Sequence, residues 1–103
     1  MRVLVTGANG YIGRHAVTAL LHRGVSVAAV DLRTDCIPTG ADTYQTNIFD
    51  ESIDLYHLTG YPDAVLHLAW QDGFIHQSLA HLDNLPHHFR FCQRMVKSGI
   101  KTL

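Results

Sequence analysis

The sequence of 103 residues is poor in several features, and each shortage removes a class of function. It has two cysteines, Cys36 and Cys92, which form no C-x-x-C pair and are too few for a disulfide framework. We read both as free thiols, one in a loop and one on a helix face. Eight Lys and Arg against nine Asp and Glu leave a formal net charge of −1, and no run of like charge occurs. That balance gives no electrostatic footprint for nucleic acid or for an anionic membrane surface. Apolar runs stay far below the roughly 20 residues that a membrane-spanning helix needs, and glycine interrupts the N-terminus at position 7, before a signal-peptide core could form. A cytoplasmic chain is expected. With 47% hydrophobic residues, this length can bury one modest core, so one domain or part of one is expected.

What is present is an alternation of strand and helix signals. Arg2 to Thr6 reads as a short buried strand that ends at a Thr-Gly turn. Tyr11 to Arg23 reads as a helix with Ile12, Ala16, Ala19 and Leu20 as its apolar stripe and Gly24 as its stop. Val25 to Val30 is a second strand without polar alternation, the kind covered by helices on both faces, which points to a right-handed β-α-β unit in a parallel sheet. Leu32 to Asp42 follows as a loop and Thr43 to Thr46 as a weak third strand. Asp50 is placed to cap a short helix with Ile53, Tyr56 and Leu58 inward, ending near Gly60 and Pro62. Ala64 to Ala69 is the fourth strand. Gln71-Asp72-Gly73 reads as a turn, Phe74 to Leu82 as a helix, and Pro86 as part of the first turn of a last helix that runs to about Ser98. Phe89, Cys92 and Val96 mark the expected buried face of that helix. Gly99 stops it, and Ile100 to Leu103 resembles the approach to a fifth strand.

Gly7, Gly10 and Gly13 stand where the first strand hands over to the first helix. At such a junction one glycine permits the tight turn, one lets the backbone approach a pyrophosphate, and one lets helix and strand pack closely. The helix N-terminus then offers unpaired N–H groups and the positive end of its dipole to phosphates. No lysine stands in the loop and the G-x-x-x-x-G-K-[ST] pattern is absent, which argues against a P-loop NTPase. Asp31 ends the second strand 18 residues past Gly13, close to the spacing of about 20 at which a carboxylate takes ribose hydroxyls. It favours NAD, because a 2′-phosphate would be repelled; Arg14 and Arg33 could each pair with a phosphate and keep NADP open.

TGANGYIG, residues Thr6 to Gly13, resembles the T-G-x-x-G-x-x-G fingerprint of the extended short-chain dehydrogenase/reductase family, the NAD-dependent epimerases and dehydratases. The resemblance continues through Asp31, NIFD at Asn47 to Asp50, DAVLHLAW at Asp63 to Trp70, Asn84, and Gly99-Ile100-Lys101, so it covers essentially the whole chain. It implies an α/β fold of the Rossmann type: a partial, doubly wound parallel sheet of about four strands in the order 3-2-1-4, with flanking helices. Residues 1–103 would be the NAD(P)-binding, N-terminal half of an epimerase/dehydratase-like domain. By resemblance, Gly7, Gly10 and Gly13 cradle the pyrophosphate, with Tyr11 and Ile12 giving backbone N–H groups, and Asp31 binds the adenosine ribose. Asn47 stands beside the adenine where the family usually has an aspartate, and Ile48 keeps the aliphatic place next to it. Leu68, Ala69 and Trp70 line the cofactor, Trp70 replacing a small residue. Asn84 matches a helix asparagine that helps order the active site; Pro86-His87-His88 departs from the small-residue pattern that follows it.

The implied substrate of the complete enzyme is a nucleotide sugar, and its catalytic groups are a Ser or Thr after the fifth strand and a Tyr-x-x-x-Lys on the next helix. None of Tyr11, Tyr44, Tyr56 and Tyr61 has a lysine four residues on, so no catalytic residue is expected within these 103. By family order those residues lie beyond Leu103. Two readings follow: the cofactor-binding portion of an NAD-dependent epimerase/dehydratase, or a truncated, non-catalytic dinucleotide-binding or interaction module. In the order 3-2-1-4 the fourth strand would present an apolar edge, to be covered by a second copy in a homodimer or by the C-terminal portion of a longer domain. Of the eight histidines, none of His76, His81, His87 and His88 pairs with another at the i, i+4 spacing of a helical zinc site, so no metal is expected. His67 reads as a sheet-face histidine. Asp50 and Glu51 read as helix N-terminal charges, and Cys92 as a packing residue.

Overall fold

Strands made almost wholly of Val, Leu and Ala must be covered on both faces, and their alternate residues divide here between two cores. The computed structural model describes residues 1–70 and 79–103. Its elements are β1 (Arg2–Thr6), α1 (Tyr11–His22), β2 (Ser26–Asp31), β3 (Asp42–Gln45), α2 (Leu55–Leu58), β4 (Ala64–His67) and α3 (Ala80–Ser98). The four strands form one parallel sheet in the order β3-β2-β1-β4, with Leu4 between Ala28 and Val65 in the register. Leu4, Ala28, Val30 and Val65 face a core completed by Ile48, Leu55, Phe91, Met95 and Ile100. Val3, Val5, Val27, Ala29 and Ala64 face the other, with Ala8 and Val17. The period-2 alternation of a strand thus feeds both layers, α1 on one side and α2 with α3 on the other. This is the doubly wound, Rossmann-type arrangement.

The β4 edge is partly paired. Val65 N donates to Thr102 O at 2.9 Å and Lys101 N to Asp63 O at 3.0 Å, so the residues after Gly99 begin a parallel pairing beyond β4. At the other end of β1, Arg2 fastens the sheet: its N donates to Asp63 Oδ2 at 2.8 Å, and its Nε to the carbonyl of buried Thr59 at 2.7 Å.

Several expected faces and boundaries are corrected. In α1 the inward residues are Gly13 and Val17, with Leu20 and Leu21 partly buried, whereas Ile12 and Ala19 are exposed. The close approach at Gly13 fixes which side of the helix meets the sheet. In α3 the inward residues are His88, Phe91 and Met95, while Phe89 and Val96 are exposed. Two apolar stripes lie one residue apart there, and the His88 contact with His67 of β4 selects the one that a polar histidine had disguised.

Asp54, not Asp50, caps α2, accepting from His57 N; Asp50 closes a tight turn by accepting from Ser52 N and Oγ, and those hydrogen bonds hold its carboxyl below the usual range. Leu55 is the buried residue of α2, and Leu58 is exposed. The expected break between a helix ending at Leu82 and a last helix with Pro86 in its first turn is absent, because Ala80 to Ser98 is one helix with Pro86 inside it. Proline deprives the Leu82 carbonyl of its partner, but Leu82 is exposed to water, and burial of His88 and Phe91 holds the following turns. The turn expected at Gln71–Gly73, His76, and positions 74–78 of the expected helix lie outside the described residues.

Candidate functional site

The C-terminal ends of β1, β2 and β4 open onto a cavity of about 480 Å³. This is the crevice where parallel α/β sheets hold ligands, and the size lies within the range of small-molecule pockets, about 300–1,000 Å³. Gly7, Gly10, Asp31, Asn47, Ile48, Leu68, Ala69, Trp70 and Asn84 all line it, joined by Phe49 and His88. Tyr11, Ile12 and Gly13 do not. Tyr11 and Ile12 are exposed in the first turn of α1, and Gly13 is buried beneath it.

The three glycines have separable tasks. Gly7 adopts φ +66°, and a Cβ there would lie 2.7 Å from Ala69 N, so this turn rests against the end of β4. A Cβ on Gly13 would lie 2.0 Å from Gly7 O and 2.8 Å from the Ala8 Cα; it serves the contact between helix and loop. Gly10 is different. Its φ of −73° and ψ of 172° suit any residue, and the nearest atom to an added Cβ is Gly7 O at 3.4 Å, so a side chain there would cost the fold little, at a position that lines the cavity. Gly10 is also the N-cap of α1, with no side-chain cap and no acid in the first turn. The first-turn N–H groups and the dipole end are therefore left to a ligand, which suits an anion.

Asp31 accepts from Asn9 N at 3.0 Å through Oδ2 and from Leu32 N at 2.7 Å through Oδ1. Each oxygen keeps a lone pair, so the carboxylate is oriented and can still accept from hydroxyls. Asn9 is a residue that motif reading passed over. Its Oδ1 accepts from Cys36 N at 2.6 Å and its Nδ2 donates to Asp35 Oδ1 at 3.1 Å, clamping the loop after β2 onto the glycine turn. That hydrogen bond is the main cause of the lowered Asp35 carboxyl pKa. Across the cavity, Asn47 Oδ1 accepts from Phe49 N at 3.0 Å, and Arg94 of α3 donates through Nη2 to Ile48 O at 2.5 Å, which fixes this wall.

The remaining wall is aromatic. Trp70 stacks on His88 at 4.3 Å between ring centres with an interplanar angle of 16°, and its Nε1 donates to His81 Nδ1. Phe49 meets His88 edge-on at 4.9 Å. Behind them, Thr6 Oγ1 lies 2.6 Å from His67 Nδ1, and His67 Nε2 lies 2.7 Å from His88 Nδ1. Burial, then the neighbouring His88, pulls the His67 pKa down to about 4; burial, then His87, lowers that of His88. Nothing in the sequence pattern announced this chain, since its members lie on three separate elements.

Cys36 is exposed, Cys92 is half-buried with its thiol pKa raised by burial, and both are free thiols. Among the described residues no three His, Cys, Asp or Glu side chains converge as metal ligands, and no helix is long and apolar enough to cross a membrane.

Comparison with known proteins agrees with this geometry. The family model described as NAD dependent epimerase/dehydratase matches residues 3–103. A dTDP-6-deoxy-L-talose 4-dehydrogenase (NAD(+)) of Aggregatibacter actinomycetemcomitans is 36% identical across all of this chain, which covers 40% of that protein. The UDP-glucose 4-epimerase of Bacillus subtilis is 29% identical, again across all of this chain and over 35% of the relative. Among solved structures, the Thermotoga maritima UDP-glucose 4-epimerase with UDP-glucose superposes with a TM-score of 0.82 at 28% identity, covering 98% of this chain and 36% of that one. The Thermus thermophilus UDP-glucose 4-epimerase complex with NAD gives 0.81 at 27%, covering 97% and 35%. The chain thus spans two fifths or less of the length of these relatives.

Proposed function

The chain belongs to the NAD-dependent epimerase/dehydratase family, and from that premise we propose that it forms the NAD-binding portion of an enzyme acting on a nucleotide sugar. The observation that carries this reading is the cavity in which the glycine turn, the oriented Asp31 carboxylate and the Asn47–Ile48 wall meet. The residues fit the cofactor. Gly10 leaves room at an uncapped helix N-terminus for the pyrophosphate, with the N–H groups of Tyr11 and Ile12 beside it, while Gly13 keeps the helix close. Asp31 takes the adenosine ribose hydroxyls. Asn47, whose Oδ1 is already used by Phe49 N, offers its NH2 to the adenine beside Ile48. Leu68, Ala69, Trp70 and Asn84 line the rest.

When bound, NAD supplies hydride acceptance and return; this chain's own groups bind and orient it and exclude water. The proton-transfer pair of the family has no counterpart among these 103 residues, so the chain by itself is expected to bind without turnover. A carboxylate at Asp31 disfavours a 2′-phosphate, so NAD is preferred over NADP. The half-exposed Leu66 on β4 and the exposed Leu82, Leu85 and Phe89 on α3 would be covered by a second copy or by the rest of a longer domain. A cytoplasmic location completes this reading.

Isothermal titration of the chain with NAD and NADP tests it. Saturable one-to-one binding with NAD the tighter ligand is expected. No binding of either by the folded chain would overturn the reading, and hydride transfer from a nucleotide sugar to NAD by the chain alone would overturn its division of labour.

A further inference from the structure

A hydroxyl has one proton and two lone pairs, and Thr6 Oγ1 has both lone pairs taken. Leu68 N donates to it at 3.0 Å, sharing its hydrogen with the Thr6 carbonyl at 3.3 Å, and Ala69 N donates to it at 3.2 Å. Its proton therefore goes to the remaining neighbour, His67 Nδ1, 2.6 Å away. A neutral imidazole that accepts at Nδ1 carries its hydrogen on Nε2, so His67 donates to His88 Nδ1 at 2.7 Å. The same rule then puts the hydrogen of His88 on its own Nε2. Two backbone N–H groups at the end of β4 thus dictate the tautomers of two histidines in turn.

Reversing the chain is costly. A hydrogen on His88 Nδ1 would force His67 to accept at Nε2 and to hold its hydrogen on Nδ1, pointed at an oxygen whose lone pairs are already occupied. Burial, which lowers the pKa of both rings, acts in the same direction by keeping them neutral. His88 is 6% exposed, lines the cavity, and is held between the stacked Trp70 and the edge of Phe49. Among the described residues its Nε2 has no hydrogen-bond partner.

We propose that Thr6, His67 and His88 form a hydrogen-bond chain of fixed direction that makes His88 Nε2–H a standing donor in the cavity wall, where it binds an acceptor nitrogen or oxygen of the dinucleotide. His88 is then a binding residue, and Thr6 and His67 are positioning residues acting through it. This inference rests on the dinucleotide reading of the cavity.

The test has two parts, both on the complete chain. Long-range proton–nitrogen spectra of histidine labelled with nitrogen-15 at pH 7 should show His67 and His88 neutral, each with its hydrogen on Nε2. Thr6→Val should release that preference at His67 and Thr6→Ser should restore it, a distinction that a merely structural role would not produce. In NAD titrations, His88→Phe should weaken binding about five- to tenfold, the effect of losing one neutral hydrogen bond, and His88→Gln, which keeps an N–H near the same place, should recover most of it. Circular dichroism establishes that each variant is folded, and the spectra of the unsubstituted chain need no variant. A His88 hydrogen on Nδ1, or unchanged NAD affinity in folded His88→Phe, overturns the inference alone. Failure of the unsubstituted chain to bind NAD overturns the dinucleotide reading and the assigned ligand with it.

Discussion

Adding one methyl group at Gly10 or at Gly13 should harm different properties of the molecule. At Gly13 the new Cβ would lie 2.0 Å from Gly7 O and 2.8 Å from the Ala8 Cα, and both are backbone atoms that cannot swing aside. Overpacking of this kind costs about 3 kcal/mol, and replacing a helical glycine by alanine returns about 1, so Gly13→Ala should lose about 2 kcal/mol of stability. At Gly10 the only near atom is Gly7 O at 3.4 Å and the backbone is extended. Gly10→Ala should therefore change stability by less than about 1 kcal/mol. The same methyl stands where the pyrophosphate must approach, a clash of about 1–3 kcal/mol, so NAD binding should fall about 10- to 100-fold. Urea unfolding followed by circular dichroism gives the first quantity and isothermal titration the second. Equal stability of Gly13→Ala and the unsubstituted chain, or undiminished NAD affinity in Gly10→Ala, would refute the division of tasks.

Three further outcomes are expected. Asp31→Asn keeps an acceptor for one of the N–H groups of Asn9 and Leu32 but removes the charge that repels a 2′-phosphate; the preference for NAD over NADP should shrink by about tenfold, roughly one charge-assisted hydrogen bond, in paired titrations. Arg2→Ala should cost about 2 kcal/mol in urea unfolding because the carbonyl of buried Thr59 loses its charged donor, whereas Asp42→Ala, whose side chain is 65% exposed, should cost under about 0.5 kcal/mol. His67 is held at about 4 in the fold against an ordinary 6.5. Because the unfolded chain takes up that proton first, the contribution is complete above pH 6.5, is lost as pH falls from 6.5 toward 4, and changes no further below. The loss should be about 1–2 kcal/mol after allowance for solvent; unfolding midpoints that stay flat over that interval would contradict it.

Strand positions and the glycine turn were legible because they depend on local, repetitive signals, whereas the sheet order came from the family resemblance that the glycine fingerprint carries. Continuous Val and Ala runs imply cover on both faces, and three glycines at a strand-to-helix junction imply close approaches that any side chain would spoil. Helix faces were less legible. In α3 the stripes His88-Phe91-Met95 and Phe89-Cys92-Val96 are equally periodic, and only a partner distant in sequence, His67, decides between them. The cap of α2 failed for a related reason, since Asp50 and Asp54 are both competent and Ser52 captured the first. Asn9 and the Thr6–His67–His88 chain were hidden because each joins elements that the sequence keeps 20 or more residues apart.

The most direct measurement is a residue-resolved proton–nitrogen amide titration of the chain with NAD. Saturable shifts at Gly7, Gly10, Tyr11, Ile12, Asp31, Asn47 and Ile48, with little change at the exposed residues of α3 such as Leu85 and Phe89, are the result expected of a dinucleotide held at the glycine turn. A folded chain whose amides do not respond to NAD, or respond only away from that turn, would contradict it.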